Sequence, residues 1–269
     1  MAKKIEVITI HRNCNYGSVL QTYATQRIFK NLGYDCEVID YIREQDTKQG
    51  LLKRLKKKKK ILKNPIIPTK RACKKHIFPS YLKKEHIFNR FLNRFINLSP
   101  QKYFSADDLI ANIPVADAYC TGSDQIWNSF WNEGVIRPYY LDFLPEDSIR
   151  FSYASSIGKK NISSDEIEEI APMLKKYKYI SVRENNSVEL LDKMGINNVT
   201  QVLDPTLYLN PKIWNKMASD KYSNKDYIVT YNLHHDKRID NFVKKLSKEK
   251  HLPVINISYN WHDVIRFGR

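Results

Sequence analysis

Two short polar stretches combine residue types that can bind an anion and move a proton. The first, HRNCNYG at 11–17, lies between a strand-like run and a helix-like run. The second, TGSDQIWN at 121–128, contains Asp124 beside a serine and close to a glycine. Backbone N–H groups at a helix start, with Arg12 nearby, attract anions, and a carboxylate can accept a proton or hydrogen-bond a sugar hydroxyl. Both stretches are therefore candidate ligand sites.

Each stretch also has a purely structural interpretation. Gly17 is the kind of residue that a tight strand-to-helix turn needs, and Asp124 suits the first turn of a capped helix. The GxGxxG fingerprint of dinucleotide-binding folds is absent from the first stretch. On residue types alone, both interpretations stay open for 11–17 and for 121–128.

A third candidate, SVRENNS at 181–187, ends a predicted strand with an arginine and a glutamate. Arg183 can hold a phosphate or a carboxylate with two parallel hydrogen bonds, or it can form a structural pair with Glu184. Asp204 precedes a proline in LDPTLYL, which is typical of a structural turn. Arg183 is therefore the candidate for binding an anionic group, and Asp204 is assigned to the turn.

The histidines are candidates with structural alternatives. His11 lies within the first stretch, and His234 and His235 begin the last strand–helix–strand pattern, where a surface or capping role is the alternative to a place in the cleft. The sequence contains neither an HxxxH pair nor another metal-ligand spacing. It therefore predicts no metal site.

Alternating strand and helix patterns place these candidates at one edge of a sheet. A strand at 4–10, a helix at 18–32 and a strand at 34–41 form a first β–α–β unit. Polar clusters follow four predicted strands, at 11–17, 121–128, 155–158 and 183–187. Ligands of open α/β sheets bind beyond the carboxyl ends of the strands. We therefore expect an α/β fold with a Rossmann-like parallel sheet and a site at that edge.

The later patterns predict two domains. Helices are expected at 164–176 and 185–195, and a strand at 199–209. A polar linker at 215–226 separates a first domain, 1–214, from the opening of a second Rossmann-like domain, 227–269, which we expect to be incomplete. A basic helical insertion at 43–102, amphipathic over 86–98, interrupts the first domain.

The positive charge is confined to one segment of the chain. The 269 residues include 45 lysines and arginines against 29 acids, and residues 48–102 hold eighteen of these bases with one acid, Glu85. Three interpretations stay open for this segment: a solvated helix, attachment to an anionic membrane surface, and nucleic-acid binding. The last is disfavoured, because no recognised nucleic-acid module accompanies the charge.

The four widely spaced cysteines, without a CxxC pair, indicate free thiols in a reducing compartment. The N-terminal run MAKKIEVITIHRN has too few apolar residues for a signal peptide or a membrane span. We expect a cytoplasmic protein, peripheral at the inner face of the plasma membrane if segment 48–102 binds lipid.

Taken in order, the motifs resemble those of the polysaccharide pyruvyl transferase family. The matching strings are NCNYGSVLQTYATQ, YDCEVIDY, TGSDQIWN, YYLDFLP, FSYASSIG, SVRENNSVELL and VLDPTLYL. The combination of NYGxxLQxYA with GSDQxWN, in this order and at this separation, is specific, whereas either string alone is not. The resemblance covers about residues 5–260.

The resemblance implies a bacterial enzyme with a GT-B-type pair of Rossmann-like domains and an active site between them. It implies transfer of the enolpyruvyl group of phosphoenolpyruvate onto a sugar of a capsule, exopolysaccharide or cell-wall glycan precursor, which forms a pyruvyl ketal and releases phosphate. The expected partners are phosphoenolpyruvate and a glycan or lipid-linked sugar, with no cofactor and no nucleic acid. Peripheral contact with an anionic membrane would involve residues 48–102.

By analogy with the family, the candidate residues acquire roles. Asp124 is the catalytic candidate. The substrate-binding candidates are Asn15, Tyr16, Gly17, Ser123 and Arg183. Further candidates are His11, Arg12, Gln125, Glu184 and His234.

One family feature is missing. The family's C-terminal domain carries a histidine box of the form SFHG, and His262 of this chain lies in a different context, NWHDV. We therefore expect a fragment of a longer enzyme or a degenerate copy. Two alternative functions stay open: a GT-B-type glycosyltransferase with a nucleotide-sugar donor, and a non-catalytic protein that binds anionic membranes or nucleic acid through 48–102.

Overall fold

A computed structural model describes residues 2–50, 52–53, 78–232 and 236–257. Most of the helix predicted for LLKRLKKKKKILK lies outside the described residues, as do His234, His235 and His262. The described residues belong to two compact units. One lies within Met1–Ile67 and Glu85–Leu209, and the other within Pro68–Lys84 and Asn210–Arg269.

A five-stranded parallel sheet forms the centre of the first unit. Its strands are β1 (Lys4–Ile8), β2 (Asp35–Tyr41), β3 (Leu98–Tyr103), β4 (Ala118–Thr121) and β5 (Arg150–Ser152). Their spatial order is β3-β2-β1-β4-β5, so the chain order reverses between β1 and β4. This is the topology of a doubly wound sheet, and it confirms the predicted α/β, Rossmann-like fold.

Two further strands, β6 (Ile180–Val182) and β7 (Val199–Gln201), pair in parallel and continue the sheet beyond β5. Isolated bridges link Phe151 to Tyr179 and Ser155 to Val182. Serine hydroxyls complete the hydrogen bonding where the ladder is interrupted, because Ser181 Oγ donates to the Ser152 carbonyl at 2.9 Å and Ser152 Oγ accepts from the Ser181 N–H at 3.0 Å.

Helices cover both faces of the sheet. They are α1 (Tyr16–Asn31), α2 (Phe78–Phe95), α3 (Ala106–Ala111), α4 (Ser129–Asn132), α5 (Ser164–Leu174), α6 (Asn185–Lys193) and α7 (Pro205–Tyr208). One apolar cluster joins α1 and α2 to the sheet through Val19, Phe29, Phe88, Leu92 and Val7. A second cluster includes Leu109, Trp127, Tyr139 and Ile170. Burial on both faces explains the nearly continuous apolar residues of β1 and β2.

The second unit contains α8 (Pro211–Met217), a 3₁₀ turn (Asp220–Tyr222), β8 (Ile228–Thr230), α9 (Lys237–Lys250) and β9 (Val254–Asn256). The strands β8 and β9 pair in parallel with Ile228 opposite Val254. The predicted strand–helix–strand opening is therefore present. Among the described helices of both units, none has the length and apolar character needed to cross a membrane.

The basic segment 43–102, predicted as a helical insertion, instead ends in β3, which pairs in parallel with β2 in the central sheet. Two other boundaries differ from the prediction for local reasons. Helix α1 begins at Tyr16, two residues early, because the Asn15 side chain accepts hydrogen bonds from the N–H groups of Gly17 and Ser18. The strand predicted over 199–209 is wrong beyond Gln201. There Asp204 caps a short helix, and Pro205 fits its first position.

Glu6 is a buried acid in β1, beside Lys4, whose Nζ lies 2.8 Å from both Glu6 Oε1 and Glu37 Oε2. Burial raises the pKa of Glu6 from 4.5 to about 7, although the hydrogen bond from Lys4 acts in the opposite direction. The folded state thus favours the neutral carboxyl. Its contribution to stability is present below the unfolded value of 4.5 and is lost as the pH rises through about 7.

We therefore expect Glu6→Gln, which stays uncharged, to gain about 2–3 kcal/mol of stability over the wild type between about pH 5 and about pH 8. Urea unfolding followed by circular dichroism at several pH values measures this difference. Glu37→Gln is the matched control. Because the Glu37 charge also raises the pKa of Glu6, this variant should show a reduced pH dependence that is not abolished. Parallel stability curves for wild type and Glu6→Gln would contradict the prediction.

Candidate functional site

The two polar stretches of the sequence meet at the carboxyl edge of the sheet, where the strand order reverses between β1 and β4. Ser18, in the first turn of α1, donates its hydroxyl proton to Asp124 Oδ2 at 2.5 Å. Asn13 Nδ2 donates in turn to Ser18 Oγ at 2.9 Å. The crevice at this reversal is the usual ligand position in doubly wound sheets. The structure therefore places Asp124 where the fold predicts a site.

Asp124 has a left-handed backbone conformation, with φ of 83°. Its carbonyl accepts hydrogen bonds from the N–H groups of Ile126 at 2.7 Å and Ser156 at 3.0 Å, which fix this geometry. Cys14 and Ala154, which follow β1 and β5, also have positive φ, of 52° and 54°. Such backbone strain is concentrated at functional sites, at a cost of the order of 1 kcal/mol for each residue. The strain at this edge favours a functional interpretation of the Asp124 loop.

Gly122 allows the end of β4 to approach β1 closely. A Cβ at this position would lie 2.9 Å from Thr9 Cβ, and Thr9 Oγ1 donates to the Ser123 carbonyl at 2.8 Å. Ser123 is fully buried, and its hydroxyl has no hydrogen-bond partner among the described residues. Contact of Ser123 with a substrate stays a prediction.

Arg183 lies among three carboxylates. Its Nη1 donates to Asp204 Oδ2 at 2.8 Å, whereas Nη2 is 4.0 Å from Asp124 Oδ1 and Nε is 3.9 Å from Glu184 Oε2. Burial acts to raise the pKa of Asp204, but hydrogen bonds from Thr206 and Arg183 lower it below its ordinary value. Arg183 is therefore anchored by one nitrogen, and its Nη2 and Nε are beyond hydrogen-bond distance of the other two carboxylates.

Asp204 was assigned to a turn by its sequence, and it does cap α7 by accepting from the N–H and the hydroxyl of Thr206. The structure adds a second role, because the same carboxylate orients Arg183. The pair joins the ends of β6 and β7, twenty-one residues apart. The sequence did not indicate this contact, because the strand predicted at 199–209 contained Asp204.

Glu184 holds the loop that follows β5. Its Oε1 accepts from Ser156 Oγ at 2.9 Å and from the N–H groups of Ile157 at 3.2 Å and Gly158 at 3.3 Å. The Ser187 hydroxyl also donates to this oxygen. With Oε1 engaged in this way, Glu184 supports the site wall next to Arg183.

His11 and Arg12 contact a carboxylate at the end of β2. His11 is buried, with Nδ1 2.9 Å from the Thr9 carbonyl and Nε2 3.1 Å from Asp40 Oδ1. Arg12 donates to both oxygens of Asp40 and to Asn89. Burial acts to raise the pKa of Asp40, but the hydrogen bonds from His11 and Arg12 lower it to about 2. The charge of Arg12 is thus matched by an ionised partner, and its role in binding a ligand stays a prediction.

The remaining candidates line the same edge. Asn15 is the cap of α1, and Tyr16 and Gly17 are exposed in its first turn. Gly17 is not the turn glycine that its position indicated, because it lies within helix α1. A Cβ at this position would be 3.3 Å from Asn15 Oδ1, so there is little room for a side chain. Gln125 Oε1 accepts from Asn128 Nδ2 at 3.0 Å, and its N–H donates to Asp124 Oδ1 at 2.7 Å.

A buried arginine that the sequence did not single out also supports this edge. Arg43, just after β2, donates to both oxygens of Asp46, at 2.5 Å and 2.9 Å, and to Asn132 Oδ1 at 2.5 Å. Asn132 Nδ2 donates to the Ile126 carbonyl at 2.9 Å. The loops after β2 and β4 are therefore locked together beside Asp124. The only hint in the sequence was that an arginine follows β2.

Comparison with known proteins identifies the family of the chain. The family model described as polysaccharide pyruvyl transferase matches residues 15–267. A comparison with curated proteins gives no match. The matched range contains Asp124, Arg183 and the loops that hold them, and it spans nearly the whole chain. The chain therefore belongs to the polysaccharide pyruvyl transferase family.

Proposed function

We propose that the chain transfers the enolpyruvyl group of phosphoenolpyruvate onto a sugar of an envelope glycan precursor. The observation that carries the proposal is the geometry of Asp124 in a member of this family. Its carboxylate is held by Ser18 and the Gln125 N–H, and it lies 4.0 Å from Arg183. A carboxylate and an arginine at this separation suit an acceptor hydroxyl and an anionic donor side by side.

In this mechanism Asp124 acts as the base. Ser18 Oγ accepts from Asn13, so its own proton points to Asp124, and both carboxylate oxygens then accept hydrogen bonds. These hydrogen bonds orient the carboxylate, and each oxygen keeps a second lone pair that can accept the proton of an acceptor hydroxyl. Arg183 binds the phosphate or the carboxylate of the donor through its Nη2 and Nε.

The bond changes of the reaction balance without an oxidant or a reductant. A proton adds to the methylene carbon of phosphoenolpyruvate, and a first sugar hydroxyl bonds to the neighbouring carbon as its proton leaves to the base. The carbon–oxygen bond to phosphate then breaks, and a second hydroxyl of the sugar closes the ketal. Its proton leaves with the phosphate. An arginine near the leaving group stabilises the charge that develops there.

The donor carries more negative charge than one arginine neutralises. Arg12 and Arg43 are each paired with a carboxylate, and Arg183 faces three. We therefore assign the described crevice mainly to activation of the acceptor, with Arg183 as one of the groups that bind the donor. A GT-B-type arrangement, in which a second domain supplies further donor-binding groups, is part of this proposal.

We further propose a cytoplasmic enzyme that meets a lipid-linked acceptor at the inner membrane surface. The exposed side chains of α2 in the first unit support the proposal, because Arg90 and Arg94 recur at helical spacing beside exposed Ile87. Basic side chains interspersed with apolar ones favour contact with anionic lipid.

The proposed function is tested by incubating the full chain with phosphoenolpyruvate and a glycan extract of the cell envelope. We expect release of inorganic phosphate that depends on the extract, together with acceptor products that have gained pyruvate less one water. Uridine-diphosphate sugars form the control arm. Release of uridine diphosphate, with phosphoenolpyruvate unchanged, would instead indicate a glycosyltransferase and overturn the proposal.

A further inference from the structure

Two large aromatic side chains are exposed on the short helix α4, six and seven residues after Asp124. Phe130 is 74% exposed and Trp131 is 64% exposed. Their rings form an edge-to-face pair, with centroids 5.4 Å apart and an interplanar angle of 79°. Exposed aromatic surface of this kind marks binding sites on soluble proteins, so the position of the pair needs a functional explanation.

Hydrogen bonds of Asn128 and Asn132 fix helix α4, which carries the pair. Asn128 Oδ1 accepts from the N–H groups of both Phe130 and Trp131, at 3.1 Å and 3.2 Å. Asn132 is buried and bonded to Arg43 and to the Ile126 carbonyl. The inward residues are thus polar and fully engaged, while the aromatic residues point outward.

The pair lies at the same sheet edge as Asp124. Lys159, from the loop after β5, donates to Ser129 Oγ at 2.8 Å, and Gln45, from the loop after β2, lies 3.5 Å from the Trp131 carbonyl. Loops that follow β2, β4 and β5 therefore surround α4. Aromatic faces surrounded by a few polar side chains are the composition of a small-ligand site.

We propose that Phe130 and Trp131 form the acceptor subsite, on which a pyranose ring of the glycan stacks. The proposal rests on the proposed function and names the residues against which the acceptor sugar binds. The axial C–H groups of a pyranose present an apolar face to an aromatic ring, while its hydroxyls reach polar groups at the rim. A glycan is the occupant that fits because the family acts on polysaccharides and because Asp124 lies at the same edge of the sheet.

The test measures binding of methyl glycosides and β-linked disaccharides of glucose, galactose, mannose and N-acetylglucosamine to the full chain. Saturation-transfer NMR and tryptophan fluorescence are the readouts. We expect at least one sugar to bind, and Phe130→Ala/Trp131→Ala to weaken its binding about tenfold or more. Trp131→Phe should keep most of the affinity, because it keeps an aromatic face.

The matched control is Tyr179→Ala. Tyr179 is also exposed, but it precedes β6 at the opposite edge of the sheet. This variant should leave sugar affinity unchanged. The proposal is overturned if no sugar binds the wild type, or if the double variant binds as the wild type does. It is also overturned if light scattering shows that the double variant only separates copies of the chain while sugar affinity stays the same.

The same preparations separate this proposal from the proposed function. If the wild type consumes phosphoenolpyruvate while the double substitution leaves acceptor affinity unchanged, only the aromatic subsite is wrong. If sugars bind through Trp131 but the chain does not consume phosphoenolpyruvate with any glycan, only the assigned reaction is wrong.

Discussion

Replacing Asp124 by asparagine is expected to lower the turnover of pyruvyl transfer by about 10²- to 10⁴-fold while leaving the fold intact. Asparagine tolerates the left-handed backbone that this position requires, and its side-chain oxygen can still accept from the Gln125 N–H. The amide cannot take a proton from an acceptor hydroxyl. The loss should therefore appear in kcat, measured as phosphate release with a saturating acceptor, and the thermal midpoint should change little.

Two further variants distinguish the loss of the base from the relief of backbone strain at Asp124 and from the loss of the hydrogen bond that orients its carboxylate. Asp124→Gly relieves a left-handed conformation that costs of the order of 1 kcal/mol, but it removes the acceptor of the hydrogen bonds from Ser18 and the Gln125 N–H. These effects oppose each other, so the variant should be about as stable as Asp124→Asn and equally inactive. Ser18→Ala removes only the hydroxyl that orients the carboxylate, and it should lose about tenfold in kcat. If Asp124→Asn keeps more than a tenth of the wild-type turnover, Asp124 is not the base.

The sequence predicted the parts of the fold that depend on local patterns. Alternation of buried strands with amphipathic helices gave the β1–α1–β2 unit, and the parallel order then placed the loops at 11–17 and 121–128 at one edge. The cap at Asn15 and the short helix after Asp204 moved boundaries by a few residues. These displacements follow from side-chain hydrogen bonds, which hydrophobic periodicity does not record.

Contacts between distant residues could not be predicted from the same patterns. Ser18 and Asp124 are 106 residues apart, and nothing in either local stretch specifies that they meet. Arg183 was expected to bind either a ligand or Glu184, but the carboxylate in closest contact with it is that of Asp204. Ser123 was expected to face the site, but it is buried where β4 approaches β1, and its carbonyl accepts a hydrogen bond from Thr9 Oγ1. Each of these outcomes depends on how neighbouring strands approach.

Replacing Arg183 by lysine is expected to weaken binding of phosphoenolpyruvate by about 10²- to 10³-fold. One guanidinium nitrogen of Arg183 is used by Asp204, which leaves Nη2 and Nε for a bidentate contact with an anion. A lysine ammonium is a single point charge that Asp204 would hold. Loss of two charge-assisted hydrogen bonds at the lower end of their usual range, about 1.5–2 kcal/mol each, accounts for the expected size. Calorimetric titration with phosphoenolpyruvate alone measures the effect without an acceptor.

Asp204→Asn is the matched control for a purely structural role. It keeps the shape of the cap, but a neutral amide oxygen holds Arg183 less firmly than a carboxylate. We expect the lost orientation to outweigh the removal of a competing charge, so donor binding should weaken about tenfold while the guanidinium remains present. If Arg183 served only the fold, Arg183→Lys would lower the unfolding midpoint and leave donor affinity unchanged. These two results together would show that Arg183 does not bind the donor.

The variants of Asp124 and Arg183 should change donor affinity in opposite directions. Asp124 Oδ1 is 4.0 Å from Arg183 Nη2, so its negative charge competes with the anionic donor for the same guanidinium. Asp124→Asn should therefore tighten phosphoenolpyruvate binding a few-fold although it abolishes turnover, whereas Arg183→Lys loosens binding. A carboxylate that bound the donor through a proton would give the reverse result for Asp124→Asn. The sign of this change thus decides between Asp124 as the base for the acceptor and Asp124 as a ligand of the donor.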